Sequence, residues 1–378
     1  MKAPRQPLPA WIDVGLIPLA NVMLAFLVAG LIVLAVGVNP LDAVHVMLIG
    51  AFGYPEAIGY TLYYATNFIF TGLAVALAFH AGLFNIGGEG QAYIGGLGVG
   101  LVVLALDGLL PGIFLIPLAI LGAAGFGAVW ALIPAWLQAY RGSHIVITTI
   151  MFNFIAAALM VYLMVNVLIA PGVMSPESRE FAASAHLPLL HMVLRSAGFA
   201  MGESPLNLSL LLALACCVLV WVFLWHTRWG YELRAMGQNP GAASYAGING
   251  RRMILLAMGL SGALAGMMAV NELIGVQHRL ILNFTAGYGF TGIAVALMGR
   301  SHPFGVVLAS LLFGVLQQGG AELAFEFPTI TREMVVVIQG LVILFSGALA
   351  YMTRPWFESL FVLLRRPSAA AAAGTERA

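Results

Sequence analysis

Apolar residues in this chain run in long blocks, separated by short stretches rich in glycine, proline and arginine. A helix needs about 20 apolar residues to cross a bilayer. Residues 14–37 meet that length, with no charge between Asp13 and Asp42. Further blocks lie at about 57–79, 86–106, 112–137, 145–170, 207–226, 253–275, 285–299, 303–320 and 333–352. The third contains Glu89 and the eighth is short and broken by glycines, so neither reads as a plain spanning helix. Lys2 and Arg5 resemble the basic start of a signal peptide, but the following run is too long for one and reads as a first anchor. The pattern predicts an all-α polytopic membrane protein of about ten transmembrane helices with a broken-helix, glycine-rich segment.

Composition supports this. Of 378 residues, 61% are apolar and 8% charged, against about 25% charged in a soluble domain. The net charge of +1 leaves no polycation for nucleic acid, and membrane lipid is the expected surrounding. Lys2 is the one lysine, which excludes a standard phosphate-binding loop ending in Gly-Lys-Ser/Thr. This chain is therefore expected to bind no cofactor, and any ATP and magnesium chemistry belongs to a partner. Cys216 and Cys217 are adjacent in an apolar run and read as packing thiols, with no metal-ligand spacing elsewhere. Neither G-x-S-x-G nor H-E-x-x-H is present, so an enzyme is not expected.

Charge also sets an orientation. With the N-terminus inside and ten alternating spans, 12 of the 16 basic residues fall inside and four (Arg179, Arg195, Arg279 and Arg332) outside. Both termini are then cytoplasmic. The organisation reads as a cytoplasmic N-terminus (1–13), a transmembrane domain (14–352) and a cytoplasmic tail expected to be disordered (353–378). Within the domain, 171–205 forms an extracytoplasmic loop with four prolines and 227–252 the longest cytoplasmic loop.

Two stretches could carry function. Gly82-Leu-Phe-Asn85-Ile-Gly-Gly-Glu89-Gly-Gln91 places four glycines, two amides and a carboxylate between apolar runs. A carboxylate at membrane depth costs about 2.5–3.5 kcal/mol on insertion scales, tolerable where unwound backbone lines a protein-enclosed cavity. Three readings of Glu89 stand open: a hinge shaping a pathway, direct substrate contact, or a tight turn with the acid solvated. In the cytoplasmic loop, Asn239 before Pro240 is a helix start, Ala242, Ala243 and Ala246 continue the turn, and Gly247 can close it. Such a short, small-faced helix suits a groove on a partner. Asn153, mid-span, is either an interhelical hydrogen-bonding group or a pathway residue, and Glu272 beside Asn271 is either solvated at the outer rim or on the path. Gly96-x-x-x-Gly100 and Gly262-x-x-x-Gly266 read as close-packing surfaces for helices.

The stretches GLFNIGGEGQAYIGG, RAMGQNPGAASYAGIN, LSGALAGM (Leu260–Met267) and GYGFTGIAVALMGRSHPFG (Gly287–Gly305) resemble signatures of binding-protein-dependent ABC importer permeases. The branch is that serving branched-chain amino acids, simple sugars and nucleosides, with nucleoside-type permeases the nearest in pattern, over residues 14 to 352. The resemblance implies a bacterial inner-membrane permease moving a small polar solute, a nucleoside or simple sugar, inward by alternating access. It also implies a cytoplasmic ATPase subunit, a second permease (often a paralogue) and an extracytoplasmic solute-binding protein as partners. Arg234, Gln238, Asn239, Pro240, Ala242, Ala246 and Gly247 would receive the ATPase stroke. Asn85, Glu89, Gln91, Asn153 and Glu272 would belong to the substrate pathway. Two carboxylates common among relatives are missing: Thr291 stands where an acid is frequent, and His144-Ile145-Val146-Ile147 where Asn-Glu-Val-Ile is frequent. The alternative is an ion-coupled secondary transporter, which would need ionisable relays at mid-membrane.

Overall fold

In the computed structural model the described residues are 9, 12, 16–196, 198 and 202–347. Most of the N-terminal segment and the whole tail 353–378 lie outside them. The described chain is helical, with no strand and two isolated β-bridges, Glu177–Ile281 and Leu189–Asn207. Its helices are α1 (Ile17–Ala35), α2 (Pro40–Phe52), α3 (Pro55–His80), α4 (Gly88–Leu106), α5 (Gly112–Arg141), α6 (Ile145–Asn166) and α7 (Leu190–Ser196). Then follow α8 (Ser209–His226), α9 (Arg228–Gln238), α10 (Pro240–Tyr245), α11 (Gly250–Ala269) with a π-helical extension (Val270–Gln277), α12 (Tyr288–Met298), α13 (Pro303–Glu326) and α14 (Arg332–Gly347).

Every predicted span overlaps a helix. Seven of the described helices are long and apolar enough to cross a membrane, or eight if α1 and α2, bent by 115°, form one broken span. Of the ten predicted spans, the first qualifies only when α1 is joined to α2, and two more fall short: α12 has 11 residues and α14 has 16 described ones. At about 1.5 Å per residue α12 reaches only halfway through a hydrocarbon core of about 30 Å. The unpredicted α2 starts where the Asn39 carboxamide oxygen accepts from the Leu41 N–H at 3.1 Å and Pro40 takes the first turn.

The chain divides into two units, residues 46–322 and the pair of segments 1–45 and 323–378. In the smaller one α1 packs on α14. The larger one is built on α3, α4, α5 and α11, and glycine brings their backbones together. A Cβ on Gly98 would lie 2.8 Å from the Gly122 carbonyl carbon, and one on Gly127 3.0 Å from Gly266 Cα. Gly262 and Gly266 thus seat α11 against α5, as the small-residue spacing predicts. Gly96 and Gly100 do not. Their open face receives Phe284 and Leu280 side chains, whereas Gly95 and Gly98 meet the neighbouring helices.

Loops assigned to one side of the membrane come together. The Arg179 guanidinium forks onto both Asp107 carboxylate oxygens at 2.8 Å, and Arg279 meets Glu177 at 3.1 Å. At the other end the His80 ring lies 2.9 Å from the Ser301 carbonyl, and Arg251 lies over the Tyr140 ring. Cys216 and Cys217 are buried free thiols.

Candidate functional site

Between the π-helical extension and α12 the chain unwinds, and residues 278–287 run down the glycine face of α4. Leu280 lies at Gly100, Phe284 at Gly96, and the Asn283 N–H donates to the Tyr93 hydroxyl at 2.8 Å. The descent ends at Glu89, where the Gly287 and Gly289 N–H groups donate to its two carboxylate oxygens at 3.0 and 2.8 Å. The Thr285 hydroxyl binds the same carboxylate. Gly287 takes a φ of +79°, which only glycine adopts freely, and Gly289 packs against the Glu89 backbone. The unwound element predicted at 82–91 is thus a compact turn, and the longer unwound stretch is its partner at 278–287. Glu89 caps the N-terminus of a half-length helix inside the membrane domain, satisfying amides that no turn of α12 can reach.

The other residues of the glycine-rich turn are held internally. The Asn85 carboxamide nitrogen donates to Gln91 Oε1 (2.9 Å) and Ser261 Oγ (2.8 Å), while its oxygen accepts from the Gly87 N–H (2.9 Å). From α6, Asn153 Oδ1 accepts from the Gly90 N–H at 2.9 Å and its nitrogen donates to the Ile86 carbonyl at 3.0 Å. Asn85, Glu89, Gln91 and Asn153 therefore form one constellation that ties α4, α6, α11 and α12 around the turn.

Glu272 sits elsewhere, and not at a solvated rim: it is 3% exposed. The Tyr63 hydroxyl and the Asn67 carboxamide nitrogen each donate to its Oε1 at 2.6 Å. Neighbouring Asn271 donates to Asn67 Oδ1 (2.8 Å) and accepts from Asn207 Nδ2 (2.9 Å) and Ser209 Oγ (2.7 Å). The network joins α3, the start of α8 and the π-helical stretch, a geometry that recurs at functional sites. Tyr63, Asn67, Asn207 and Ser209 escaped the sequence reading. The signal was the four-residue spacing of Tyr63 and Asn67 inside an apolar helix, which puts both on one face.

The 227–252 loop is more ordered than a single capped helix. Thr227, Asn239 and Asn249 cap α9, α10 and α11 in turn, accepting from the N–H of Gly230 (3.1 Å), Ala242 (3.0 Å) and Arg252 (3.2 Å). Gly247, at φ +79°, closes α10, with its N–H on the Ser244 carbonyl and that of Ile248 on Ala243, a Schellman motif. Gln238, Asn239, Pro240, Ala242, Ala246 and Gly247 are exposed, Tyr245 is 97% exposed, and Ala243 is buried. Arg234 turns inward, its Nε donating to the Leu224 carbonyl at 3.0 Å and its guanidinium over Trp225. Behind α10 lies a hollow of about 640 Å³, lined among others by Leu83, Gln138, Met236, Ser244 and Arg251.

Taken together, these elements describe a multi-pass helical membrane protein with an interrupted helix packed inside the bundle and an ordered, exposed helical segment. The family model for the permease component of branched-chain amino acid transport systems matches residues 57–347. The chain belongs to that family. It is 37% identical over 350 residues to the glucose ABC transporter permease protein TsgB13 of Haloferax volcanii, covering 90% of this chain and 89% of the relative. It is 36% identical over 334 residues to the guanosine ABC transporter permease protein NupP of Bacillus subtilis (88% and 93%). With the nucleoside ABC transporter permease protein NupB of Lactococcus lactis it shares 34% over 334 residues (87% and 90%). These relatives are all named as permease subunits of ABC transporters.

Proposed function

We propose that this chain moves a small uncharged polar solute, a nucleoside foremost or a simple sugar, inward across the bacterial inner membrane by alternating access. The drive comes from a separate ATPase subunit consuming ATP and magnesium, alongside a second permease and an extracytoplasmic solute-binding protein. In this reading the chain crosses the membrane ten times, the unwound 278–287 and α12 together making one crossing, with both termini in the cytoplasm. The observation that carries the reading is the exposed, doubly capped α10 in a chain without the lysine of a phosphate-binding loop. Gln238, Asn239, Pro240, Ala242, Ala246 and Gly247 form the docking face, and Arg234 braces it from behind. Relatives named for glucose, guanosine and nucleosides support a polyhydroxylated solute. So does Glu89: the half-helix N-terminus that could attract an anion already holds the chain's own carboxylate. Asn85, Glu89, Gln91 and Asn153 shape the pathway through the turn they brace, and Glu272 does so through its buried network. The ion-coupled alternative is not favoured.

Ala242→Trp tests the docking face, because it places a bulky ring where the small face must enter a groove. Co-purification of the ATPase and solute uptake in membrane vesicles should both be lost while the permease still reaches the membrane. Retention of both at wild-type levels would refute the assignment.

A further inference from the structure

At the end of α9 the docking segment meets the turn after α3 backbone to backbone. A Cβ added to Gly237, at the end of α9, would collide with the His80 carbonyl and lie 2.8 Å from the Gly82 nitrogen and 2.9 Å from the Ala81 carbonyl carbon. Gly82 faces it with φ +71°, and a Cβ there would lie 3.3 Å from Gly237 Cα. Side-chain contacts can yield by rotamer changes, but two backbones in contact cannot, so a displacement on one side is passed to the other. α9 is itself stiff: Gly230 is pressed on the α8 backbone at Leu224, and Arg234 is bonded to the Leu224 carbonyl.

Beyond that joint the chain grips α12 at both ends. Just before Gly82, the His80 ring bonds the Ser301 carbonyl in the turn after α12. That turn carries two successive non-glycine residues in the left-handed region, Arg300 (φ +52°) and Ser301 (φ +54°). Just after the turn, Glu89 holds the Gly287 and Gly289 N–H groups at the start of α12. Between the two grips the Leu83 N–H returns to the Ala78 carbonyl, and Asn85 anchors to Gln91 and Ser261. The segment 80–89 and α12 are therefore held as one body, with Gly237 as its point of contact with the docking segment.

We propose that the Gly237–Gly82 contact is the joint through which the docking segment moves the 80–89 turn and α12 together, making both glycines positioning residues of the transport cycle. The inference rests on the reading that α9 and α10 receive the ATPase. It is tested with the assembled transporter in proteoliposomes, using Gly237→Ala and Gly237→Val. ATP hydrolysis and uptake are measured, together with maleimide labelling of Phe84→Cys, a position on the turn that is 36% exposed, in a Cys216→Ala/Cys217→Ala background. Wild-type protein should label at different rates with and without ATP and vanadate. Gly237→Val should keep the ATPase bound and hydrolysing while uptake drops about tenfold or more and the nucleotide-dependent labelling difference disappears.

If Gly237→Val fails to reach the membrane, the same three readouts on Gly237→Ala decide the question. Uptake and labelling difference both retained in the variant that assembles would overturn the joint, as would hydrolysis and uptake falling by one common factor with the labelling difference intact. Failure of the underlying docking reading looks different: Ala242→Trp would then keep the ATPase bound.

Discussion

Replacing Glu89 with glutamine tests whether the carboxylate caps α12. In the native turn both oxygens accept from backbone amides, at 3.0 Å from Gly287 and 2.8 Å from Gly289. Glutamine keeps one acceptor and turns an NH₂ toward the other N–H, so one amide loses its partner. A hydrogen bond to a charged group contributes about 1.5–3 kcal/mol, and an orphaned buried donor costs about 1–3 kcal/mol, two views of one loss. A net cost of about 2–3 kcal/mol raises the opening equilibrium of the first turn of α12 about 30- to 150-fold, at 1.4 kcal/mol per factor of ten. Hydrogen exchange in nanodiscs reads this directly at the Gly287 and Gly289 amides, with α4 residues 97–103 as the internal control. Solute uptake should fall while the ATPase still co-purifies. Exchange at 287–289 that stays within about threefold of wild type, on the same scale, would refute the capping argument. An equal rise throughout α4 would refute its local character.

Two further outcomes follow from other parts of the fold. Asn271→Leu removes four side-chain bonds from the buried network, to Asn207, Ser209, Asn67 and the Tyr63 carbonyl, and leaves the Ser209 hydroxyl and Asn67 Oδ1 without their partner. It should cost about 3 kcal/mol or more in detergent unfolding, against about 1 kcal/mol for Ser209→Ala, and equal midpoints for the two variants would contradict the network. Where the 171–205 segment meets the end of the π-helical extension, the His186 and His278 rings stack at 3.6 Å, and burial, then the His186 ring, holds the His278 imidazole below its ordinary value against an opposing pull from Glu180. The folded state thus prefers neutral His278, so attachment is complete above the ordinary histidine value of about 6.5 and weakens as pH falls through it. Exchange of the Phe181 amide, bonded to the His278 carbonyl at 2.7 Å, should rise relative to its intrinsic rate between pH 7.5 and pH 5. His278→Asn, which tolerates the local φ of +51°, should flatten that profile, and a wild-type profile that is already flat would sink the idea.

The membrane class was legible because it is a matter of solvent: long apolar blocks have no other stable setting. The α10 caps were legible too, since Asn239, Pro240 and Gly247 act on backbone within a few residues of themselves. Local chemistry of that kind needs no knowledge of the rest of the chain. Polar residues inside the spans were visible as anomalies, but their roles were not. Asn153 finds its donor at Gly90, Asn85 its acceptor at Ser261, and Glu272 its donors at Tyr63 and Asn67, all from distant segments. Glu272 next to Asn271 near a predicted span end suggested a solvated rim, and the π-helical extension instead turns it inward against α3.

The eighth apolar block shows the division most clearly. Its glycines signalled an interruption, yet only the packed structure makes 278–287 a descending stretch of irregular backbone. That path exists because α4 offers Gly96 and Gly100 as a groove and Glu89 as an acceptor at its foot. The sequence by itself determined the solvent, the helical class and the short capped helix, each set by composition or by neighbours along the chain. Which glycines face a helix and which face Phe284, which amide meets which carbonyl, and that Gly237 touches Gly82 were decided by the tertiary structure. The physical reason is range: desolvation and capping act where a residue stands, whereas a backbone contact or a buried hydrogen bond needs a partner that only folding brings near.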